Sequence, residues 1–403
     1  MVGGLRKSCY YTKNPIVMKK SPWLIVCFIA VASWLPASAS SYEELTKNFT
    51  FGKVAAQSLS VMTFGPEGIL FIGDAKGGKV FALDLNDRVQ NTTTEGFGMA
   101  DVEGKLASLL GTDAKGVIIH DLAVNPISQN LYLTVSRSDA NQLGFWKTPN
   151  DITNANILLR ISPDGKITEV DLSNINHNKA NIPSVIAEGK GTNYRKSDNR
   201  TDAITDIAYD DGKLYVTGLS NEEFASALRV LDFPFGKKSA YSTIEVYHVA
   251  HGTYETEAPM RTLLPYELNG KKYILGAYTC TPFVSIPIED LTAKKHRKTK
   301  TLGEFGFGNI PVDIIRYKNK GKDYILMSNN SKALIRIDPN DIPSQEALTT
   351  PLKEGEYAVG IPHAVLSRVG ITQIDNLNEK NVLVLQRMPN GQLNLRSYNT
   401  DWL

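Results

Sequence analysis

Cysteine is almost missing from this 403-residue chain. There are three, and Cys9 and Cys27 fall within the first 40 residues. Cys280 stands alone in the remainder, so no intramolecular disulfide can form there and stability must come from packing. No C-x-x-C-H motif occurs, which argues against covalently attached haem. Long apolar runs are also scarce. One spans Trp23 to Ala32, and nothing after it is apolar enough over sufficient length to cross a membrane as a helix. Convincing helical amphipathicity is rare as well. Neither sign of charge dominates: 44 basic residues face 42 acidic ones, for a formal charge of +2. Five of the basic residues (Arg6, Lys7, Lys13, Lys19, Lys20) precede or flank the apolar run, where there is no acidic residue. Without them 39 basic residues face 42 acidic, about −3. A body so close to neutral argues against nucleic acid as a main partner.

The start of the chain reads as a leader. Lys19 and Lys20 precede the apolar run, and Pro36-Ala37-Ser38-Ala39 supplies the small-residue spacing that signal peptidase accepts. Residues 1–39 are therefore expected to be a secretory leader, with Met18 the better natural start and 40–403 the mature domain. Cys27 lies inside the apolar run behind bulky Val26, which gives a lipid anchor no good site. The expected location is extracytoplasmic, periplasmic or secreted, with no transmembrane anchor in the mature chain. A monomer is expected.

The rest of the chain is a repeated phrase: a short apolar strand, a turn, a second apolar strand, a polar loop and a third strand. One copy runs Thr205-Asp206-Ile207-Ala208-Tyr209, Asp210-Asp211-Gly212-Lys213, Leu214-Tyr215-Val216-Thr217-Gly218, then Ala227-Leu228-Arg229-Val230-Leu231. Comparable copies begin near Ser58, Ile119, Arg261, Val312 and Gly370. Their spacing of about 55–60 residues suits propeller blades of four strands. The interval between the second and third copies is longer. It holds a polar insertion, Arg137 to Asn156, and a second stretch, Asn174 to Asp202, with room for a degenerate seventh blade. The expected fold is all-β, a single β-propeller of six blades, with Phe49 to Val54 closing the ring on the last blade. Phe233-Pro234-Phe235-Gly236 reads as a plug packing one blade on the next. The basic run Lys294 to Lys300 reads as a solvated loop between blades.

This repeat resembles the broad group of β-propellers that contains NHL-repeat, SMP-30 and paraoxonase-like proteins. The resemblance covers most of the mature chain and rests on phrases such as Thr205-Asp206-Ile207-Ala208-Tyr209. WD and kelch signatures do not recur. The regular tryptophans of quinoprotein dehydrogenase propellers are absent, because only Trp146 and Trp402 follow the leader.

In a propeller, the innermost strands begin beside a central channel, and the loops joining second and third strands open on that same face. It is the default ligand face. Asp121, Asp206 and Asp313 fall at innermost strand starts, with Ser60, Thr262 and Thr372 in the equivalent places of the other copies. As hard oxygen ligands, with Asn221 or Asn329 completing a shell, the three acids would suit Ca²⁺, and the resemblance to SMP-30 implies an ion that polarises a carbonyl. The same acids could instead satisfy backbone N–H groups of the neighbouring blade. Their recurrence with the repeat favours that structural role. His120, His251, His363 and Cys280 break the repeat. Imidazole and thiolate together would suit zinc or copper, or Cys280 could be a nucleophile with a histidine base. Among cofactors, calcium ranks ahead of a transition metal. Three functions follow, in order: an exported module binding a protein or small-molecule ligand at the channel mouth, a calcium-type hydrolase or lactonase, and a metal-binding or redox protein using Cys280 with histidines.

Overall fold

The computed structural model describes residues 41–137, 156–193, 198–236, 239–291 and 295–403. The expected leader, and most of the polar insertion after Arg137, lie outside them. The innermost strands are Met62–Phe64, Val117–Val124, Asp206–Asp210, Met260–Leu268, Pro311–Asn319 and Ile371–Asn378, and each starts one sheet of four or more strands. These are blades 1 to 6 in chain order, and there is no seventh among the described residues.

The second strand of each blade is buried almost throughout. Ile69–Asp74 has all six residues buried, and Leu131–Arg137 and Asn381–Arg387 nearly match it. A blade is covered on both faces by its neighbours, so its middle strands are continuous apolar runs rather than alternating ones. One hydrophobic cluster fills each of the six interfaces between blades. The aromatic plug sits in one of them. Phe233 packs on Phe71 at 4.7 Å and on Phe235 at 5.3 Å, joining blade 3 to blade 1.

Those interfaces reveal an order that differs from the chain order. Blade 1 packs on blades 2 and 3, and blade 2 packs on blade 6. Around the ring the sequence is 2-1-3-4-5-6. The cause is a long excursion. After its third strand, Lys79–Asp84, blade 1 is interrupted. The chain pairs Gly98–Met99 on the edge of blade 6, forms the helix Val102–Leu110 and builds all of blade 2. It then returns with Ile175–Asn181 as the fourth strand of blade 1. The stretch with room for a seventh blade is therefore the missing strand of the first.

Asp87 anchors the departure. It is buried, and it accepts hydrogen bonds from Ser128 Oγ (2.7 Å), Tyr132 Oη (2.8 Å), Asn130 Nδ2 (2.9 Å) and Asn125 Nδ2 (3.1 Å) of blade 2.

Ring closure also differs from expectation. Thr50–Gly52 pairs with Ile175–Asn181 and covers the outer edge of blade 1. The edge of blade 6 is instead occupied by Gly98–Met99, opposite Arg396 and Leu395. An edge already taken cannot accept a second strand. Within the basic run, Lys295–Lys298 is a strand and not a loop, lying parallel to the outer strand of blade 3. Its charges are partly matched there, His296 and Lys298 both reaching Glu245. No helix among the described residues is long and apolar enough to cross a membrane.

Candidate functional site

The channel is lined by the innermost strands and encloses a cavity of about 520 Å³. Five aspartates line it: Asp210, which pairs with Lys272, and Asp121, Asp206, Asp313 and Asp375. The last four are alike. Each spends both oxygens on backbone. One accepts the amide of the residue that follows: Leu122, Ile207, Ile314 or Asn376. The other accepts an amide from the next blade in the ring. Asp206 takes Leu263 (2.6 Å), Asp313 takes Ile374 (3.0 Å), Asp375 takes Val124 (2.7 Å) and Asp121 takes Met62 (2.6 Å). The acids thus stitch blade 3 to 4, 5 to 6, 6 to 2 and 2 to 1, in one rotational sense.

Asp375 takes the place expected of Thr372. A register shift between Ile371 and Ile374 moves the acid into line, and a bulge of this kind is hidden from simple repeat alignment. The four aspartates are part-buried against the channel, but their carboxylates lie deep among protein atoms. Desolvation therefore raises all four pKa values, to about 7 for Asp206 and about 6 for Asp375. Asp121 and Asp313 are pushed well up by burial, with repulsion from the other acids adding to it.

The remaining expected residues are dispersed. His120 lines the channel and pairs through Nε2 with Ser136 Oγ at 2.6 Å. Asn221 accepts from Lys190 Nζ at 2.9 Å. Asn329 is buried and shapes its own turn, accepting from Asn309 Nδ2 and donating to Ala333 O. His363 bonds Ile361 O through Nδ1 and packs on Phe305 at 4.5 Å. Neither His120 nor His363 approaches Cys280.

His251 and Cys280 do meet, together with His248. Their potential ligand atoms all lie within 4.8 Å of one another, the one such group of three among the described residues. His248 ends the long outer strand Ser239–His248 of blade 3. His251 follows in a turn closed by its own amide on His248 O. The two rings stand 3.8 Å apart. Glu255, paired back across this hairpin, receives Nδ1 of both: 3.0 Å from His248 and 2.5 Å from His251. With both Nδ1 atoms on Glu255, Nε2 is the nitrogen each ring has for another partner. His248 Nε2 is buried without a hydrogen-bond partner. It comes within 3.4 Å of Glu304 Oε1, whose carboxylate already accepts the amides of Val249 and Ala250. His248 stands three residues before His251, and a hairpin, not a helix, sets that spacing.

Cys280 arrives from the turn between the second and third strands of blade 4. It adopts φ +64° and Thr281 φ +67°. Two consecutive left-handed residues, one β-branched, cost about 1–2 kcal/mol each. Surrounding bonds impose them. Cys280 N donates to Asn309 O (2.7 Å), Thr281 N to Tyr278 O (2.8 Å) and Thr281 Oγ1 to Gly306 O (3.0 Å). The His248 imidazole draws the Cys280 thiol below its ordinary pKa against the effect of burial, helped by the amides of Gly308 and Asn309. Burial opposes a charge on His248, but Cys280, Glu255 and Glu304 outweigh it and lift its pKa to about 11. Both shifts favour a thiolate beside an imidazolium, in a half-open turn with His248 buried and His251 exposed.

No family model matches the chain, and neither does any curated protein. Similar solved structures include a PQQ-bound aldose sugar dehydrogenase from Streptomyces coelicolor, at 10% identity over 86% of this chain and 96% of that one, with TM-score 0.32. A putative glucose dehydrogenase from Thermus thermophilus aligns at 12% identity over 87% and 100%, with TM-score 0.33. The propeller architecture rests on the chain's own strand pairing.

Proposed function

We propose that this propeller is an extracytoplasmic metal-binding protein whose centre is His248 Nε2, His251 Nε2 and Cys280 Sγ. The observation that carries the reading is the convergence of one ring nitrogen from each histidine with Cys280 Sγ, with Glu255 holding both Nδ1 atoms. A carboxylate on the far nitrogen fixes a ligating imidazole's tautomer and raises its basicity. The amides of Gly308 and Asn309, which lower the Cys280 pKa, are the matching support for a thiolate ligand. An N₂S donor set suits zinc or copper rather than calcium. Three ligands leave a fourth position open, as in sites that handle a substrate. The four channel acids are committed to backbone amides, so the structural role fits them better than a calcium shell. The leader supports export, and N-terminal sequencing of the mature protein tests it, with Ser40 expected first.

Metal content is the direct test. Purified protein loaded with Zn²⁺ or Cu²⁺ and then desalted should retain one equivalent per chain. Cys280→Ser and the exposed-site variant His251→Ala should each weaken binding by about 10–100-fold. Bound metal at 100 times its Kd should raise stability by about 2.7 kcal/mol. Protein that keeps no metal and shows no shift in Tm with either ion would sink the reading. The thiolate–imidazolium pair supports a second role for the same residues, a nucleophilic Cys280 with His248 as its partner. Rapid alkylation of Cys280 that Zn²⁺ fails to slow would favour that role over coordination.

A further inference from the structure

We propose that the open position of this centre receives a small aromatic carboxylate, its ring lodged on Phe307 and Tyr357 and its charge paired with Lys332. The inference rests on the metal-binding reading above and names the ligand class of the same site.

The three residues are built into the wall that holds Cys280. Loop residues Phe305 to Asn309 supply the carbonyls that receive Cys280 N and Thr281 Oγ1, and amides that lower the Cys280 pKa. Phe307 is in the middle of this loop and is 50% exposed. Tyr357, 46% exposed, packs edge-on against it at 5.1 Å. Gly306 (φ +106°) lies so close beneath Tyr357 that a Cβ there would come within 2.5 Å of the ring. The aromatic pair is therefore pinned to the loop rather than free on the surface. Two adjoining exposed rings offer face and edge to a third ring.

Lys332 completes the arrangement. Its ammonium is 4.0 Å over the Tyr357 ring and near enough to Cys280 for the two charges to interact. It is only partly exposed, and no carboxylate lies within ion-pair distance of it among the described residues. By contrast Lys298, over Tyr254, has Glu245. A half-buried cation lacking a carboxylate, between an aromatic pair and a metal centre with an open position, is charge-complementary to a carboxylate carried on a flat ring. A neutral ring would leave Lys332 unpaired, and an aliphatic acid would leave the aromatic pair uncovered.

The probe is 4-fluorobenzoate, followed by ¹⁹F NMR with metal-free protein and with protein loaded with Co²⁺ as a paramagnetic substitute. Line broadening should saturate at one ligand per chain, and Co²⁺ should add paramagnetic relaxation that places the fluorine near the metal. Competition should rank benzoate above acetate and above benzyl alcohol by about tenfold each. Lys332→Gln, saturated with Co²⁺, should bind fluorobenzoate about tenfold more weakly than the Co²⁺-loaded wild type. The double change Phe307→Ala with Tyr357→Ala should bring benzoate down to the level of acetate. Equal affinity for benzoate and acetate, an unaffected Lys332→Gln variant, or binding without paramagnetic relaxation would each overturn the inference. Failure to take up Co²⁺, Zn²⁺ or Cu²⁺ would instead overturn the metal reading, and with it the placement at an open position.

Discussion

At the scale of single residues, Asp206 and Asp87 place carboxylates in protein interiors with opposite consequences. Asp206 accepts two amides, yet desolvation prevails and its pKa rises to about 7 from an ordinary 3.8. The folded protein then holds that proton more tightly than the unfolded chain. The stabilising contribution is complete below about pH 4 and lost as pH rises through 7. Asp206→Asn should remove this slope. Between pH 4 and 7, wild type should lose about 1–3 kcal/mol relative to the variant, read from urea unfolding at a series of pH values. Burial also works against Asp87, but hydrogen bonds from Asn130, Ser128, Tyr132 and Asn125 overcome it and lower its pKa. Its contribution is present above the ordinary carboxylate pKa and is lost as pH falls through the folded value. Asp87→Ala should cost about 3 kcal/mol at neutral pH, because it strands several buried donors, and the deficit should shrink in acid.

At the scale of elements, the turn Tyr278 to Pro282 and the hairpin His248 to Glu255 together make the candidate centre. Cys280 stood out in the sequence because it breaks the repeat, and His251 did for the same reason. Their meeting was not legible. His251 belongs to the turn after the outer strand of one blade and Cys280 to a loop of the next, and only the packing of blade 3 on blade 4 joins them. The role of His248 depends on the hairpin that returns Glu255 beneath both imidazoles. The left-handed pair Cys280–Thr281 offered no sequence signal, since neither residue type favours that conformation. The Asp206 and Asp313 stitches were legible as a recurring acid at a strand start. Asp375 was obscured by a bulge that shifts the alignment. At this scale Thr281→Ala should destabilise the turn by about 1–2 kcal/mol, through loss of its bonds to Gly306 O and from Phe305 N. Thermal unfolding checks this.

At the scale of the whole molecule, the ring is closed from the inside of the chain rather than by its start. Met99 sits in the cluster between blades 2 and 6, whereas Phe51, on the strand expected to close the ring, is largely exposed. Met99→Ala should therefore cost about 2 kcal/mol and Phe51→Ser less than about 0.5 kcal/mol, both by equilibrium denaturation. Comparable costs at the two positions would contradict this closure.

The sequence by itself determined the class of fold, because strand alternation, turn residues and a recurring spacing are local properties written into each copy of the phrase. It also narrowed the blades to six with room for a seventh, and marked which cysteine and histidines depart from the pattern. Tertiary structure alone decided the order of the blades around the ring. The interruption of blade 1 depends on which sheet edge a distant strand finds, and pairing across an edge leaves no local mark. It likewise decided which departures meet. Cys280 and His251 are brought together with His248 by the contact of two blades, while His120 and His363 are carried elsewhere by the same packing.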